Sequence, residues 1–179
     1  MTEATLPSRT PEQSATPPRP RHSEHDVISA VATSMLPEII EWLGDDYQED
    51  MKADIEEHLI EAMKDNPGLD GYDIAKHLDN RFMWECNAEL VSILDSALSH
   101  ASTAHSERIK EWVKANNIRP KLGVGQKISS SMFRGEGTIT AIMEDRACYV
   151  VQNEEFRSTH QNQPPTSGLL VPYEQAKQI

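Results

Sequence analysis

The sequence predicts an α+β protein in which a flexible tail precedes an acidic domain of four or five helices and then a small β-rich domain. Five of the eleven prolines fall within the first 22 residues, which are otherwise mostly polar and have too little apolar surface to offset the entropy of ordering. From residue 23 to about 117, apolar residues recur at the three- and four-residue spacing of helices. After Pro120, glycines and short β-branched runs replace that spacing. The predicted boundaries are therefore 1–22, 23–118 and 119–179.

Caps and helix breakers divide the helical domain. Ser23 and Asp26 resemble a capping box at the start of the first helix, and Gly44 is expected to end it. Pro37 is expected to kink or break this helix, because proline lacks a backbone N–H and biases the residue before it away from helical geometry. The fourth helix would span about thirty residues, so a break is expected near residues 102–106. The second to fourth helices are expected to begin at side chains that accept backbone hydrogen bonds: Asp45 or Asp46, Asp70, and Asn87.

Strands are predicted in the C-terminal domain. Residues 138–144 and 147–152 are rich in β-branched and other apolar side chains, and a short polar turn at 144–146 joins them. Residues 157–168 are polar and contain two adjacent prolines, which predicts a loop. Residues 169–171 then predict a last strand.

The composition excludes several classes of protein. The formal net charge is −12, from 29 acidic and 17 basic residues, which argues against a direct nucleic-acid binder because such a protein needs a basic face for phosphates. No apolar run approaches the ~20 residues of a membrane span, and the first residues contain no apolar core after a basic stretch. We therefore expect neither membrane association nor a secretory signal. With only two cysteines, a cytoplasmic chain with reduced thiols is expected.

The acidity is confined to the helical domain. Residues 23–118 contain 21 acidic and seven basic residues, a net charge of −14, whereas each flanking segment carries +1. Between residues 41 and 61, nine acidic residues accompany one lysine. This run is either a solvated face that aids solubility or a surface for a basic partner, because a row of carboxylates can mimic nucleic-acid phosphates. Helical spacing places five of the acids on one face, opposite the apolar stripe of the second helix: Asp46, Glu49, Asp50, Glu57 and Glu61.

Neither cysteine predicts a reactive site. Cys148 lies in an apolar run and is interpreted as a small core residue. Cys86 lies in the turn before the fourth helix, where a helix N-terminus can lower the pKa of a thiol. A structural role for Cys86 is nevertheless favoured, because buried cysteines are commonly inert.

No other pattern indicates catalysis or cofactor binding. Gly135-Glu136-Gly137 lacks the rest of a phosphate-binding fingerprint and precedes a strand, so it predicts a tight turn or bulge. Trp42, Trp84 and Trp112 lie on or beside apolar stripes and are predicted to be core, although one could instead anchor a binding site. We expect no enzyme, no metal and no cofactor. Two acid–histidine pairs have a spacing of four residues, which also arises from simple surface contacts: Asp54 with His58, and Asp73 with His77.

Four short segments of the C-terminal domain follow one another in a characteristic order: Gly125-Gln-Lys-Ile128, Gly135-Glu-Gly-Thr-Ile139, Tyr149-Val-Val151 and Leu170-Val-Pro-Tyr173. This order resembles the small SH3-like barrels of the KOW and Tudor type, and is most similar to the RNA-polymerase-interacting domain of CarD-type transcription regulators. The resemblance implies an SH3-like β-barrel in which the strand at 147–152, or its neighbour, pairs with an edge of a polymerase. Three features depart from the pattern: residues 131–134 replace an aromatic–proline step, the loop at 157–168 is long and polar, and the helices precede the barrel rather than follow it.

Three functions are expected from these observations. The first is a non-enzymatic inhibitor or regulator whose acidic helical face binds a basic, nucleic-acid-binding protein. With no enzyme motif, the chain is also similar to phage-encoded accessory proteins that inhibit or redirect a host machine. The second function is a transcription-linked adaptor that binds RNA polymerase through the barrel. The third is a structural or assembly protein that self-associates through the fourth helix.

Overall fold

The computed structural model describes residues 17–21, 23–160, 164 and 167–179. It confirms the α+β class, with a helical N-terminal region followed by a five-stranded antiparallel sheet. The tail predicted over residues 1–22 lies outside the described residues except for 17–21. The helices of the first region are α1 (His25–Leu43), α2 (Lys52–Asp65), α3 (Gly71–Phe82), α4 (Ala88–Leu94) and α5 (Ala97–Ala115). The second region contains β1 (Lys127–Ser129), β2 (Gly137–Met143), β3 (Cys148–Asn153), α6 (Glu154–Thr159), β4 (Leu169–Pro172) and β5 (Lys177–Gln178).

Helix α1 continues through Pro37, so the predicted break does not occur. Pro37 itself is exposed, whereas Met35, Leu36 and Ile39 are almost completely buried. Burying one such side chain contributes ~1.5–3 kcal/mol, and the three together exceed the ~3 kcal/mol that a proline costs inside a helix. Packing of α1 therefore overrides the local preference of Leu36 for extended geometry.

Two helix caps and one helix end follow the prediction. Asp70 accepts hydrogen bonds from the backbone N–H groups of Tyr72 and Asp73 at the start of α3. Asn87 accepts one from Leu90 at the start of α4. Gly44 ends α1, where its positive φ of 54° suits a glycine.

The other two predicted caps are wrong. The N-cap of α1 is Glu24 rather than Ser23, and no side chain caps this helix. Helix α2 begins only at Lys52, so neither Asp45 nor Asp46 caps it. The chain instead reaches α2 through two short 3-10 turns: Gly44–Asp46 and Glu49–Met51.

The predicted long fourth helix is divided at residues 95–96 into α4 and α5, earlier than the predicted 102–106. The Asp95 carboxylate accepts a hydrogen bond from the backbone N–H of Gly71, at 3.1 Å. The Ser96 hydroxyl donates to the carbonyl of Ile93, at 2.7 Å. Gly71 is required at this crossing, because a Cβ there would lie 2.4 Å from the Asp95 Oδ1. The start of α3 therefore lies closest to the chain at the point where α4 ends and α5 has not yet begun.

One face of α1 packs against α2, α4 and α5, and its buried residues belong to one core cluster with those of α2, α3, α4 and α5. The stretch His25–Asp46 is also long and apolar enough to cross a membrane, by length and composition only. This stretch differs from the expectation that no apolar run approaches the length of a membrane span. A buried core helix of a soluble protein passes the same test, so the result is weak evidence for a membrane helix.

The sheet has the strand order β4-β3-β2-β1-β5, and each neighbouring pair is antiparallel. The strands predicted at 138–144 and 147–152 correspond to β2 and β3, with the predicted turn at Glu144–Arg146 between them. The loop predicted at 157–168 begins too early, since α6 extends to Thr159. In the described sheet β3 is an interior strand, while β4 and β5 are its two open edges.

The segment of residues 17–21, here called the strap, connects the helices to the sheet. Arg19 donates hydrogen bonds to the carbonyls of Ala147, at 3.2 Å, and Arg146. The indole N–H of Trp112, on α5, donates to the carbonyl of Pro17 at 3.1 Å. The helical core is separate from the apolar cluster of the sheet, so the strap adds polar contacts between regions that do not share a core. The sheet cluster consists of Ile128, Ile139, Tyr149, Val151 and Val171.

Replacing Tyr149 by Phe is expected to cost about 1–3 kcal/mol of stability, because its hydroxyl accepts from two backbone N–H groups that would lose their partner. These donors belong to Lys121 and Leu122, both at 3.0 Å. The matched control is Tyr173→Phe, whose ring centroid lies 4.5 Å from that of Tyr149. The buried Tyr173 hydroxyl has no partner among the described residues, so its removal is expected to cost little. Urea unfolding measures the free energy of unfolding of each variant. Equal losses of stability would contradict the role of the Tyr149 hydroxyl as a hydrogen-bond acceptor.

Candidate functional site

A groove of about 610 Å³ lies between the C-terminal end of α1, helix α2, and the connection from α3 to α4. Four rings line it: Trp42, His58, Phe82 and Trp84. We call these four side chains and the space between them the aromatic groove. All four are partly buried, so part of each side chain faces the opening.

The rings of the groove contact one another. His58 stacks on Phe82, with ring centroids 3.8 Å apart and planes at 17°. Trp42 and Trp84 lie nearly parallel, with centroids 6.4 Å apart and planes at 13°. The Trp84 indole N–H donates to the Nδ1 of His58 at 3.3 Å.

Asn87 holds the α1 side of the groove against the start of α4. Its Oδ1 accepts from the backbone N–H of Leu90, at 2.9 Å, and from the indole N–H of Trp42, at 3.2 Å. One side chain therefore caps a helix and orients a ring of the groove.

The chain reversal after α3 brings Phe82 and Trp84 to the same groove. Met83, between them, has the left-handed backbone with φ 60°. Its N–H donates to the carbonyl of Asp79, at 3.1 Å, which closes the end of the helix. The Met83 side chain is 83% exposed, so the turn directs the two neighbouring rings, rather than Met83, into the protein.

Carboxylates border the groove. Its lining contains four of them and, within the described residues, no lysine or arginine. An adjoining depression of about 350 Å³ shares Trp42 and Glu89 with the groove and adds two further glutamates. We call the six carboxylates the acidic border: Glu38, Glu41, Asp46, Asp54, Glu85 and Glu89. A low-dielectric cleft lined by one sign of charge focuses the field on its opening, so this site favours a cation.

The five acids that the sequence placed on one helical face do not share one helix. Asp46 lies in the first 3-10 turn and borders the groove. Glu49 and Asp50 lie in the second turn, and Glu57 is exposed on α2. Glu61 forms an ion pair with Arg81, with Oε1 3.1 Å from Nε. The interruption before Lys52 divides the row, and only its first member reaches the groove.

Sequence reasoning did not find the aromatic groove. It interpreted the tryptophans chiefly as core, because helical spacing cannot distinguish a ring inside a core from one at its margin. The useful signal is the position of Trp42 and Trp84 at or beyond the ends of α1 and α3. Asp54 and His58, noted for their spacing, both line the groove. Within the described residues, no three His, Cys, Asp or Glu side chains form a group that could hold a metal ion.

The thiols are held in their protonated form. Burial raises the pKa of Cys86, Asp79 raises it further, and the thiol donates to the carbonyl of Ala75 at 3.2 Å. These contacts raise the pKa of Cys86 rather than lower it, in keeping with the structural role favoured for this thiol. Burial also raises the pKa of Cys148, although the nearby Arg19 guanidinium opposes the rise.

The chain matches no family model, no curated protein and no solved structure. The function is therefore argued from the geometry of the aromatic groove and the charge around it.

Replacing Asn87 by Ala is expected to cost about 1–2 kcal/mol, because α4 loses its cap and Trp42 loses its acceptor. Urea unfolding measures the loss, and the tryptophan emission of the folded variant is expected to shift as Trp42 gains freedom. Asn80→Ala serves as the control: its amide only donates back to the carbonyl of Lys76 on the exposed face of α3. Equal free energies of unfolding for the two variants would contradict the role of Asn87 as the cap of α4 and the acceptor for Trp42.

Both thiols are expected to react with iodoacetamide at pH 7 more slowly than a free cysteine does, with rates that increase as the pH is raised. The thiolate is the reacting form, and raised pKa values keep it scarce in the folded chain. The same chain in urea is the control and should react at the ordinary rate of free cysteine. Rapid alkylation of Cys86 in the folded chain at neutral pH would contradict its assignment as a structural residue.

Proposed function

We propose that this chain is a non-enzymatic inhibitor or regulator that binds a basic surface of another protein through its acidic helical region. The observation that carries the proposal is the acidic border: six carboxylates surround accessible aromatic rings, and no described basic side chain lines the groove. Aromatic residues are the commonest anchors of protein interfaces. Carboxylates at the margin of an interface speed the encounter with a basic partner and help select it.

The proposed partner is a protein that normally binds nucleic acid. Such a protein presents a basic face for phosphates, and the helical region offers a net charge of −14 in place of them. Glu49, Asp50 and Glu57 extend the negative field beyond the groove, and their contribution is expected to be long-ranged and sensitive to salt. The charge of Glu61 is offset by its ion pair with Arg81.

Repulsion between neighbouring carboxylates of the acidic border lowers the stability of the free chain, which supports a role for the border in binding. Like charges on a helix surface repel by a few tenths of a kcal/mol per pair. Glu38 and Glu41 are three residues apart on α1. No described lysine or arginine lines the depression beside them. A basic partner would relieve this repulsion.

A second candidate is a transcription-linked adaptor whose SH3-like sheet domain binds RNA polymerase by strand pairing. The open edge of β4 supports it, since Leu170 on this strand is 42% exposed. The interior position of β3 leaves β4 as the strand with a free edge. Self-association through the fourth helix has less support, because that helix is divided and α5 packs against α1.

Neutralising the acidic border is expected to weaken partner binding by about thirtyfold, from roughly 0.5 kcal/mol for each of four exposed charges. The border variant carries Asp46→Asn, Asp54→Asn, Glu85→Gln and Glu89→Gln. The control variant removes four charges elsewhere: Asp73→Asn, Asp145→Asn, Glu107→Gln and Glu155→Gln. Each full-length chain is used to capture proteins from a lysate, with elution in rising salt and identification by mass spectrometry.

The expected partner is a basic nucleic-acid-binding protein that elutes at moderate salt and is displaced by DNA. Its affinity, measured with the purified partner, should fall with the border variant and change little with the control variant. Equal affinities for the two variants would contradict the proposal. Capture that depends on Leu170 but not on the acidic border would instead support the adaptor.

A further inference from the structure

We propose that the aromatic groove binds an arginine side chain of the partner protein, an inference that rests on the proposed function. Four aromatic rings and four carboxylates line the groove, and these two kinds of side chain attract a cation for different reasons. A carboxylate accepts hydrogen bonds and carries negative charge. An aromatic face attracts a cation through its quadrupole.

The hydrogen-bonding capacity of the groove excludes other ligands. The indole N–H of Trp42 is already donated to Asn87, and that of Trp84 to His58. An anion or a ligand that only accepts hydrogen bonds would therefore find few donors and would meet the acidic border. The carboxylates of Asp54 and Glu85 remain as acceptors. The ligand that fits is a cation rich in N–H donors.

Arginine meets these conditions better than lysine. Its planar guanidinium can lie flat on an indole ring while its five N–H groups donate to neighbouring carboxylates. The lysine ammonium is compact and strongly hydrated, so it gains less from an aromatic face. The volume of about 610 Å³ falls within the range of small-ligand sites and leaves room for the side chain and part of its backbone.

The chain itself contains an arginine bound in the same manner. The Cζ of Arg19 lies 5.9 Å from the centroid of the Trp112 ring, and its Nη1 lies 3.6 Å from the Glu174 carboxylate. An indole face and a carboxylate thus hold one guanidinium at the strap. Trp42 and Trp84 offer the same chemistry at the groove, where no described residue supplies the arginine.

The test uses the three tryptophans as reporters. The full-length chain, labelled with ¹⁵N, gives one indole N–H signal for each tryptophan, and Trp→Phe variants assign the signals. It is titrated with three blocked pentapeptides, Gly-Gly-X-Gly-Gly, in which X is arginine, lysine or the neutral arginine analogue citrulline. We expect the arginine peptide to shift the signals of Trp42 and Trp84 and to leave that of Trp112, which already has its own arginine, unchanged.

The arginine peptide is expected to bind about fivefold more tightly than the lysine peptide, because it alone combines stacking with several hydrogen bonds. The citrulline peptide should cause no shift at Trp42 or Trp84. The double variant Asp54→Asn with Glu85→Gln should weaken the arginine peptide several-fold. Its control, Asp73→Asn with Glu155→Gln, should bind as the unmodified chain does. These variants change only exposed side chains, so they test the site without removing a ring.

Equal binding of the arginine and lysine peptides, or shifts confined to Trp112, would overturn the inference. Its failure can be distinguished from that of the proposed function. If partner capture depends on the acidic border but the arginine peptide moves neither Trp42 nor Trp84, the acidic surface stands and the arginine site is wrong. If the peptide binds as expected but no captured protein depends on the border, the proposed function is wrong and the arginine site stands.

Discussion

Burial of one face of α1 is the constraint on which the rest of the helical region depends. Residues from α2, α4 and α5 pack against that face, and the free energy gained by burial exceeds the cost of Pro37 inside the helix. Because α1 is not interrupted, Trp42 lies at its far end, within hydrogen-bonding distance of Asn87. Since the buried faces are apolar, the acids of this region lie outside, and the surface charge of the helical region follows from the same packing.

The hydrogen bonds of the two indoles explain why the groove can be both ordered and accessible. An exposed tryptophan usually moves among several rotamers, and its ordering on binding costs affinity. Here Asn87 and His58 each accept from one indole, and the His58 ring is stacked on Phe82. The rings are therefore oriented before any ligand arrives, while their polar atoms are already satisfied.

Local signals predicted two of the helix caps and one helix end, but missed the starts of α1 and α2. They also failed where distant contacts decide. Asp70, Asn87 and Gly44 were predicted correctly because caps and left-handed ends depend on neighbouring backbone atoms. The uninterrupted α1 and the break at residues 95–96 depend on packing partners far away in sequence. The aromatic groove was missed for that reason: its rings come from three helices and a connecting turn, and no periodicity within one segment relates them.

The uninterrupted length of α1 has a consequence for how the chain can be engaged. Nineteen residues at 1.5 Å each span about 28 Å, with the aromatic groove at one end and the strap, with the neighbouring sheet, beyond the other. The helix thus acts as a spacer of defined length between two surfaces. A bivalent partner that reaches both gains from a high effective concentration at the second contact, whereas one whose linker is too short can occupy only one of them.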